Sequence, residues 1–201
     1  MKTIIVGIGG MTNGGKSTLA TRLHLQIANS CLIAQDAYFK EDSNVPVDSN
    51  GFKLYDVLDA LYMEKMMNNM ELWKRDPERF MKEIGLRTTQ ESLESQVFVL
   101  IVEGFLIFNY RPMNYLYDKK YFIEIPYNIC KKRRSTRVYM PPDPPGYFDG
   151  QVWPMYLKNR EEMEAMMSDI VFIDGLQEKE QVLDSVYKDV MKIIEELRGK
   201  R

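Results

Sequence analysis

The chain has 201 residues, 45% hydrophobic and 28% charged, which suits one domain with a sizeable core and excludes a chain too polar to fold. Its net charge of −2 argues against a general binder of nucleic acid or of membrane surfaces, since such partners select a basic balance or a basic face. The two cysteines, Cys31 and Cys130, lie far apart in no metal-like spacing, so neither a disulfide framework nor a zinc site is indicated, and reduced thiols in a cytoplasmic protein are expected.

Met1-Lys2-Thr3 runs straight into the first apolar run and leaves no room for a signal or transit peptide. Thr3-Ile4-Ile5-Val6-Gly7-Ile8 is β-branched and apolar and predicts a buried strand. Next comes Gly10-Met11-Thr12-Asn13-Gly14-Gly15-Lys16-Ser17, in the pattern G-x-x-x-x-G-K-[ST]. From Ser17 to Ala28, Leu19, Leu23 and Ile27 recur at helical spacing, so this loop joins a strand to a helix. That is the arrangement of a phosphate cradle: glycines let backbone N–H groups converge on a polyphosphate, and the helix points its positive end at the same place. Lys16 would reach the terminal phosphates as a point charge and the Ser17 hydroxyl would meet Mg²⁺, with Thr18 next in the helix. His24, on that helix, is given no role.

Cys31-Leu32-Ile33-Ala34 predicts a second strand ending at Gln35-Asp36, and Glu41 to Gly51 reads as an exposed loop with Asn44, Pro46 and Asn50 as turn signals. From Asp56 to Trp73 the pattern is helical, and Leu58, Leu61, Met63, Met66, Met67 and Met70 form a stripe best read as core packing. Lys74 to Ser95 is charged with weak periodicity and reads as a surface insertion, with Asp76-Pro77 as a short-helix start. Val97 to Val102 is the clearest buried strand and delivers Glu103-Gly104; as the longest apolar run it falls far short of the roughly 20 residues of a membrane span, so a soluble protein is expected. Tyr121 to Ile125 predicts a fourth strand, followed by a helix from near Pro126 that carries Lys131 to Arg134 and Arg137, with Arg133 and Arg137 four apart on one face. Met140-Pro141-Pro142-Asp143-Pro144-Pro145-Gly146 breaks that helix. Gly150 to Ser168 reads as a helix, Ile170 to Ile173 as a fifth strand and Gln181 to Leu197 as a closing amphipathic helix. Strands separated by helices imply an α/β domain with a parallel sheet covered on both faces.

Ligands gather at the carboxyl ends of such strands. Asp36 stands at one end, beside Ala37-Tyr38-Phe39, and suits a group that accepts the proton of a small acceptor's hydroxyl. Glu103 stands at another, where an acid can face Mg²⁺. Arg133, Arg134 and Arg137 ahead of a proline-rich loop suit a lid that neutralises charge on a transferred phosphoryl group and excludes water.

Gly10 to Ser17, Gln35 to Phe39, Tyr55-Asp56-Val57-Leu58, Val102 to Leu106, Arg133 to Tyr139 and Pro142 to Tyr156 together resemble the nicotinamide riboside kinases across essentially the whole chain. The resemblance implies a P-loop NTPase-type fold with a five-stranded parallel sheet flanked by helices. It implies one kinase domain over residues 1–201, with a small lid at about 131–150 and the insertion at about 74–95. The implied reaction is transfer of the ATP γ-phosphate to the 5′-hydroxyl of nicotinamide riboside, or of its nicotinic acid counterpart, on a salvage route to NAD. Asp36 matches the proton acceptor, with Lys16 the other catalytic group, and Ser17, Asp36 and Glu103 match the Mg²⁺ shell. Phe39, Tyr55, Asp56, Arg134 and Tyr139 fall where the nucleoside is held, with Ala37, Tyr38 and Met140 beside them. Arg133, Arg137, Val138 and Tyr139 fall against the nucleotide, and Gln177, Glu178 and Lys179 beside its adenine.

Ala37 departs from the pattern, where an acid commonly follows the catalytic aspartate. Tyr55 and Tyr139 could sandwich a cationic pyridinium, and Asp56 could accept the ribose 2′ and 3′ hydroxyls. The partner so implied is a small-molecule nucleoside, with neither nucleic acid nor membrane. The rival readings are a uridine or cytidine kinase on the same scaffold and a non-catalytic nucleotide-binding adaptor. A GTPase would carry an Asn-Lys-x-Asp motif, which is absent.

Overall fold

Five apolar runs form the strands β1 (Lys2–Gly10), β2 (Ser30–Ala34), β3 (Val97–Glu103), β4 (Lys119–Glu124) and β5 (Ile170–Asp174) of one sheet in the order β2-β3-β1-β4-β5. Every pairing is parallel, with Ile8 opposite Glu103 and Gly10 opposite Ile123. The structure is a computed structural model that describes residues 1–49, 51–89, 96–140 and 142–199. The turn signal at Asn50, residues 90–95 of the expected insertion and Pro141 of the proline-rich break lie outside the described residues.

Because side chains alternate along a strand, β1 and β3 supply both faces of the core. Ile4, Val6, Ile8, Val99 and Ile101 pack against Leu19 and Leu23 of α1 (Lys16–Gln26) and Val186, Val190 and Ile194 of α6 (Lys179–Gly199). Ile5, Phe98, Leu100 and Val102 face Met66, Met70 and Trp73 of α2 (Met63–Arg75), Met81 of α3 (Pro77–Glu83) and Met163 of α5 (Trp153–Met166). Each such buried side chain contributes about 1.5–3 kcal/mol, and trimming Met70 to alanine would cost about 2–5 kcal/mol. The methionine stripe is core, as its spacing predicts.

Three expected boundaries move. The helix expected from Asp56 starts only at Met63, because Ala60 O accepts from the Lys40 N–H, the Tyr62 N–H donates to Tyr38 O, and Leu61 bridges Phe39. The segment after β2 therefore holds Leu61 extended, after a 3-10 turn at Leu58–Ala60. The helix after β4, α4 (Tyr127–Ser135), stops before Arg137, since the Ser135 and Thr136 hydroxyls donate to the carbonyls of Lys132 and Arg133 and end the ladder. Arg133 and Arg137 therefore do not share a helical face. The helix expected from Gly150 opens instead as a π-helical turn, Phe148–Val152, that runs into α5. Most of the described residues from Lys74 to Thr89 are exposed, and the segment is tied down at α3: Asp76 caps it by accepting the Arg79 N–H at 3.1 Å, and Pro77 and Met81 are buried.

Candidate active site

The end of β1 decides the shape of the phosphate loop. Gly10 has φ +137°, and a Cβ there would lie 2.3 Å from the carbonyl oxygen of Ile123, so only glycine fits. The Gly14 N–H donates to Met11 O at 3.0 Å and closes the turn, and Gly15, at φ 105°, caps α1. Lys16 is buried and its Nζ donates to Met11 O at 3.0 Å; burial lowers its pKa while Glu103 and Asp36 oppose that shift.

Glu103 closes β3 beside it and is buried too. Burial raises its pKa; Lys16 pulls it down, Asp36 pushes it up and a hydrogen bond from the Ser17 hydroxyl favours the charged form. Asp36 is exposed in the helical turn Gln35–Tyr38 that follows β2. The ends of β1, β2 and β3 thus bring Lys16, Ser17, Asp36 and Glu103 into one electrostatic group. Its oxygen donors, one hydroxyl and two carboxylates, suit a hard divalent cation. Among the described residues no group of three His, Cys, Asp or Glu side chains is arranged for a metal.

Gln35 ties the segment that carries Asp36 to the one that follows Glu103, a contact that sequence reasoning missed. It is fully buried; its Oε1 accepts the Leu106 N–H at 2.9 Å and its Nε2 contacts the Met63 sulfur at 3.3 Å. The only signal was a polar residue at the end of a buried strand.

Asp56 lines a small cavity of about 20 Å³, room for roughly one water, together with Gly10, Met11, Phe105, Tyr156 and Arg160. Burial pushes its carboxyl up to about 6, with Arg134 opposing and Asp143 adding to the shift. Its backbone oxygen accepts from Asn159 Nδ2 at 2.9 Å, and the Asn159 carbonyl accepts from Asn109 Nδ2 at 2.7 Å. Neither asparagine belongs to a motif, and neither was foreseen. An aromatic wall stands nearby: Tyr55 meets Phe39 edge-on at 6.0 Å, and Phe39 stacks on Phe105 at 5.8 Å. The Tyr55 hydroxyl bonds Asp42, and its pKa is pushed up to about 12 by burial and that carboxylate.

Residues between Lys131 and Asp149, the expected lid, line a groove of about 410 Å³ walled by Arg134, Arg137, Tyr139, Asp143 and Tyr147 among others. Arg134 holds Asp143 through two bonds, at 2.6 and 2.9 Å, and its guanidinium lies 4.4 Å from the centre of the Tyr139 ring. Arg133 donates to Asn13 O at 3.2 Å and to Gly175 O at 3.5 Å, tying the end of α4 to the turn before Gln177, Glu178 and Lys179, which are exposed. Thr18, beside Ser17 on α1, is exposed, as is Ala37, and Val138 and Met140 reach far into solvent. Tyr38 is instead turned into the core, its hydroxyl accepting from Asn69 at 2.7 Å. Tyr55 is not among the residues that line the groove containing Tyr139. No helix among the described residues is long and apolar enough to cross a membrane.

Residues 6–154 match a family model described as an AAA domain. The chain is 50% identical to nicotinamide riboside kinase 1 of Rattus norvegicus, over 99% of this chain and 100% of that protein. It is 46% identical to nicotinamide riboside kinase 2 of Homo sapiens, over 93% of this chain and 80% of that protein. In fold it is similar to a sugar kinase from Janibacter sp. HTCC2649, with a TM-score of 0.55 at 15% identity over 96% of this chain and 98% of the other. With half of its positions identical to a full-length relative, the chain belongs to the nicotinamide riboside kinase family.

Proposed function

We propose that the protein transfers the γ-phosphate of ATP to the 5′-hydroxyl of nicotinamide riboside, and of nicotinic acid riboside, giving the mononucleotide for NAD salvage. The identity of 50% over 99% of the chain is the observation that carries this reading. The site supports it, because Lys16, Asp36 and Glu103 meet where a phosphate loop ends.

The chemistry asks for positioning and charge neutralisation. The loop amides and Lys16 hold the polyphosphate, and Asp36 takes the proton from the 5′-hydroxyl as its oxygen attacks the γ-phosphorus and ADP leaves. Ser17, Asp36 and Glu103 would hold Mg²⁺, which when bound offsets the phosphate charge. Asp56 accepts the ribose hydroxyls, and Tyr139 offers a ring face to the cationic base. The face now covered by the Arg134 guanidinium has the character a pyridinium needs. Arg133 and Arg137 close over the phosphates and keep water out.

The test is to incubate the purified protein with MgATP and a panel of ribosides and to follow the mononucleotide by mass. Turnover of nicotinamide riboside above that of uridine and cytidine is expected. Turnover of uridine or cytidine alone would overturn the substrate, and no turnover of any nucleoside would favour an adaptor.

A further inference from the structure

Asn13 sits in the phosphate loop at φ 60°, a conformation that asparagine tolerates better than most residues with a side chain. Beyond a long contact with Thr12 Oγ1 at 3.4 Å, its hydrogen bonds run to the lid. Arg133 donates to its backbone oxygen at 3.2 Å, and Arg137 donates to its Oδ1 at 3.0 Å. The Tyr139 hydroxyl accepts from its Nδ2 at 3.1 Å and lies 3.3 Å from its Oδ1. The neighbours of Tyr139 give the lid no apolar anchor, since Val138 is 87% and Met140 89% exposed. The ring of Tyr139 is met by the Arg134 guanidinium at 4.4 Å and, more distantly, by that of Arg137 at 6.0 Å, and its hydroxyl is held by Asn13.

We infer that Asn13 is a positioning residue for the acceptor: its carboxamide ties Tyr139, and so the ring face that meets the riboside base, to the loop that holds the phosphates. This rests on the reading of Tyr139 as an acceptor contact. A residue of the donor site thereby sets the acceptor's affinity through another side chain, without touching the acceptor.

The backbone selects the variant. Asn13→Gly keeps the positive φ and the oxygen that Arg133 uses and removes only the carboxamide, whereas alanine would be strained there. Tyr139→Phe removes the hydroxyl and keeps the ring. Steady-state kinetics at saturating MgATP would be measured for the wild type, both single variants and the double variant, with thermal melts alongside. Each single change should raise the riboside KM about five- to tenfold, the loss of one or two hydrogen bonds, with kcat changed less than about twofold. The double variant should be no worse than Asn13→Gly alone, because that change has already removed the link that Tyr139→Phe breaks, along with the acceptor of Arg137.

An unchanged riboside KM in Asn13→Gly would overturn the inference, as would multiplying effects in the double variant. A fall in kcat accompanied by a lower melting temperature would do the same, because it marks a merely structural role. If the wild type ignores nicotinamide riboside and uses another nucleoside, the substrate reading fails, and the same cycle run on that nucleoside still decides the role of Asn13.

Discussion

Lys16 is turned back on its own loop, its Nζ donating to the carbonyl oxygen of Met11 at 3.0 Å while the rest of its side chain is buried. The ammonium is parked on a neutral acceptor, and a phosphate offers it a charged one. Lys16→Met keeps the aliphatic bulk and removes the charge. ATP binding followed by calorimetry should weaken at least tenfold, about 1.4 kcal/mol, and kcat should fall further. The melting temperature should hold or rise, since a buried charge that lowers its own pKa is costly to keep.

Asp36→Asn tests the proton acceptor. The side chain is exposed, so stability should stay within about 0.5 kcal/mol of the wild type in a denaturant melt. The rate should drop by about 10²–10⁴ while ATP binding survives. Full activity in this variant would remove Asp36 from the chemistry.

Asp56 links stability to pH. Its folded pKa, about 6, lies above the ordinary 3.8, so its contribution to stability is complete below 3.8 and lost as pH rises through 6. At neutral pH the buried carboxylate therefore opposes folding. Asp56→Asn should melt higher at pH 7.5, by about 1–3 kcal/mol at most, with the gain shrinking towards pH 4. The wild-type riboside KM should rise as pH falls through 6, when the acceptor loses its charge, and the variant's KM should be high and flat across that range.

Gly104→Ala probes the bridge between the two acids. The new Cβ would lie 2.5 Å from both Cβ and Oε1 of Gln35 and 2.7 Å from Ile107 Cγ2. Destabilisation of about 1–3 kcal/mol is expected, together with a loss of kcat as Gln35 gives up the Leu106 N–H. A destabilised variant with unchanged kcat would show that Gln35 supports the core alone.

What could be read before the structure were features written in consecutive residues. The five strands, the phosphate loop and the acids at strand ends each follow from local pattern, and family likeness supplied the substrate. What could not be read depends on partners distant in the chain. Residues 60–62 could have continued a helix, but Tyr38 and Lys40 claimed their backbone. Arg137 left the helix because two hydroxyls ended it, yet it reaches Asn13 beside Arg133 all the same. Tyr38 looked like a site residue because it neighbours Asp36, but Asn69 holds it in the core. Gln35, Asn109 and Asn159 act through hydrogen bonds to residues distant in the chain, which no spacing records.

The strand order also bears on how the chain reaches its fold. Lys2 pairs with Val97 and Val6 with Lys119, while β2 is joined to the sheet only through β3. During synthesis the first two strands therefore emerge with no strand to pair with until residues near 97 have been made. Long-range parallel pairing of this kind slows folding and leaves apolar edges exposed meanwhile. The phosphate loop, encoded almost first, thus cannot take its final shape until residue 123 has been made, because Gly10 finds its place against Ile123.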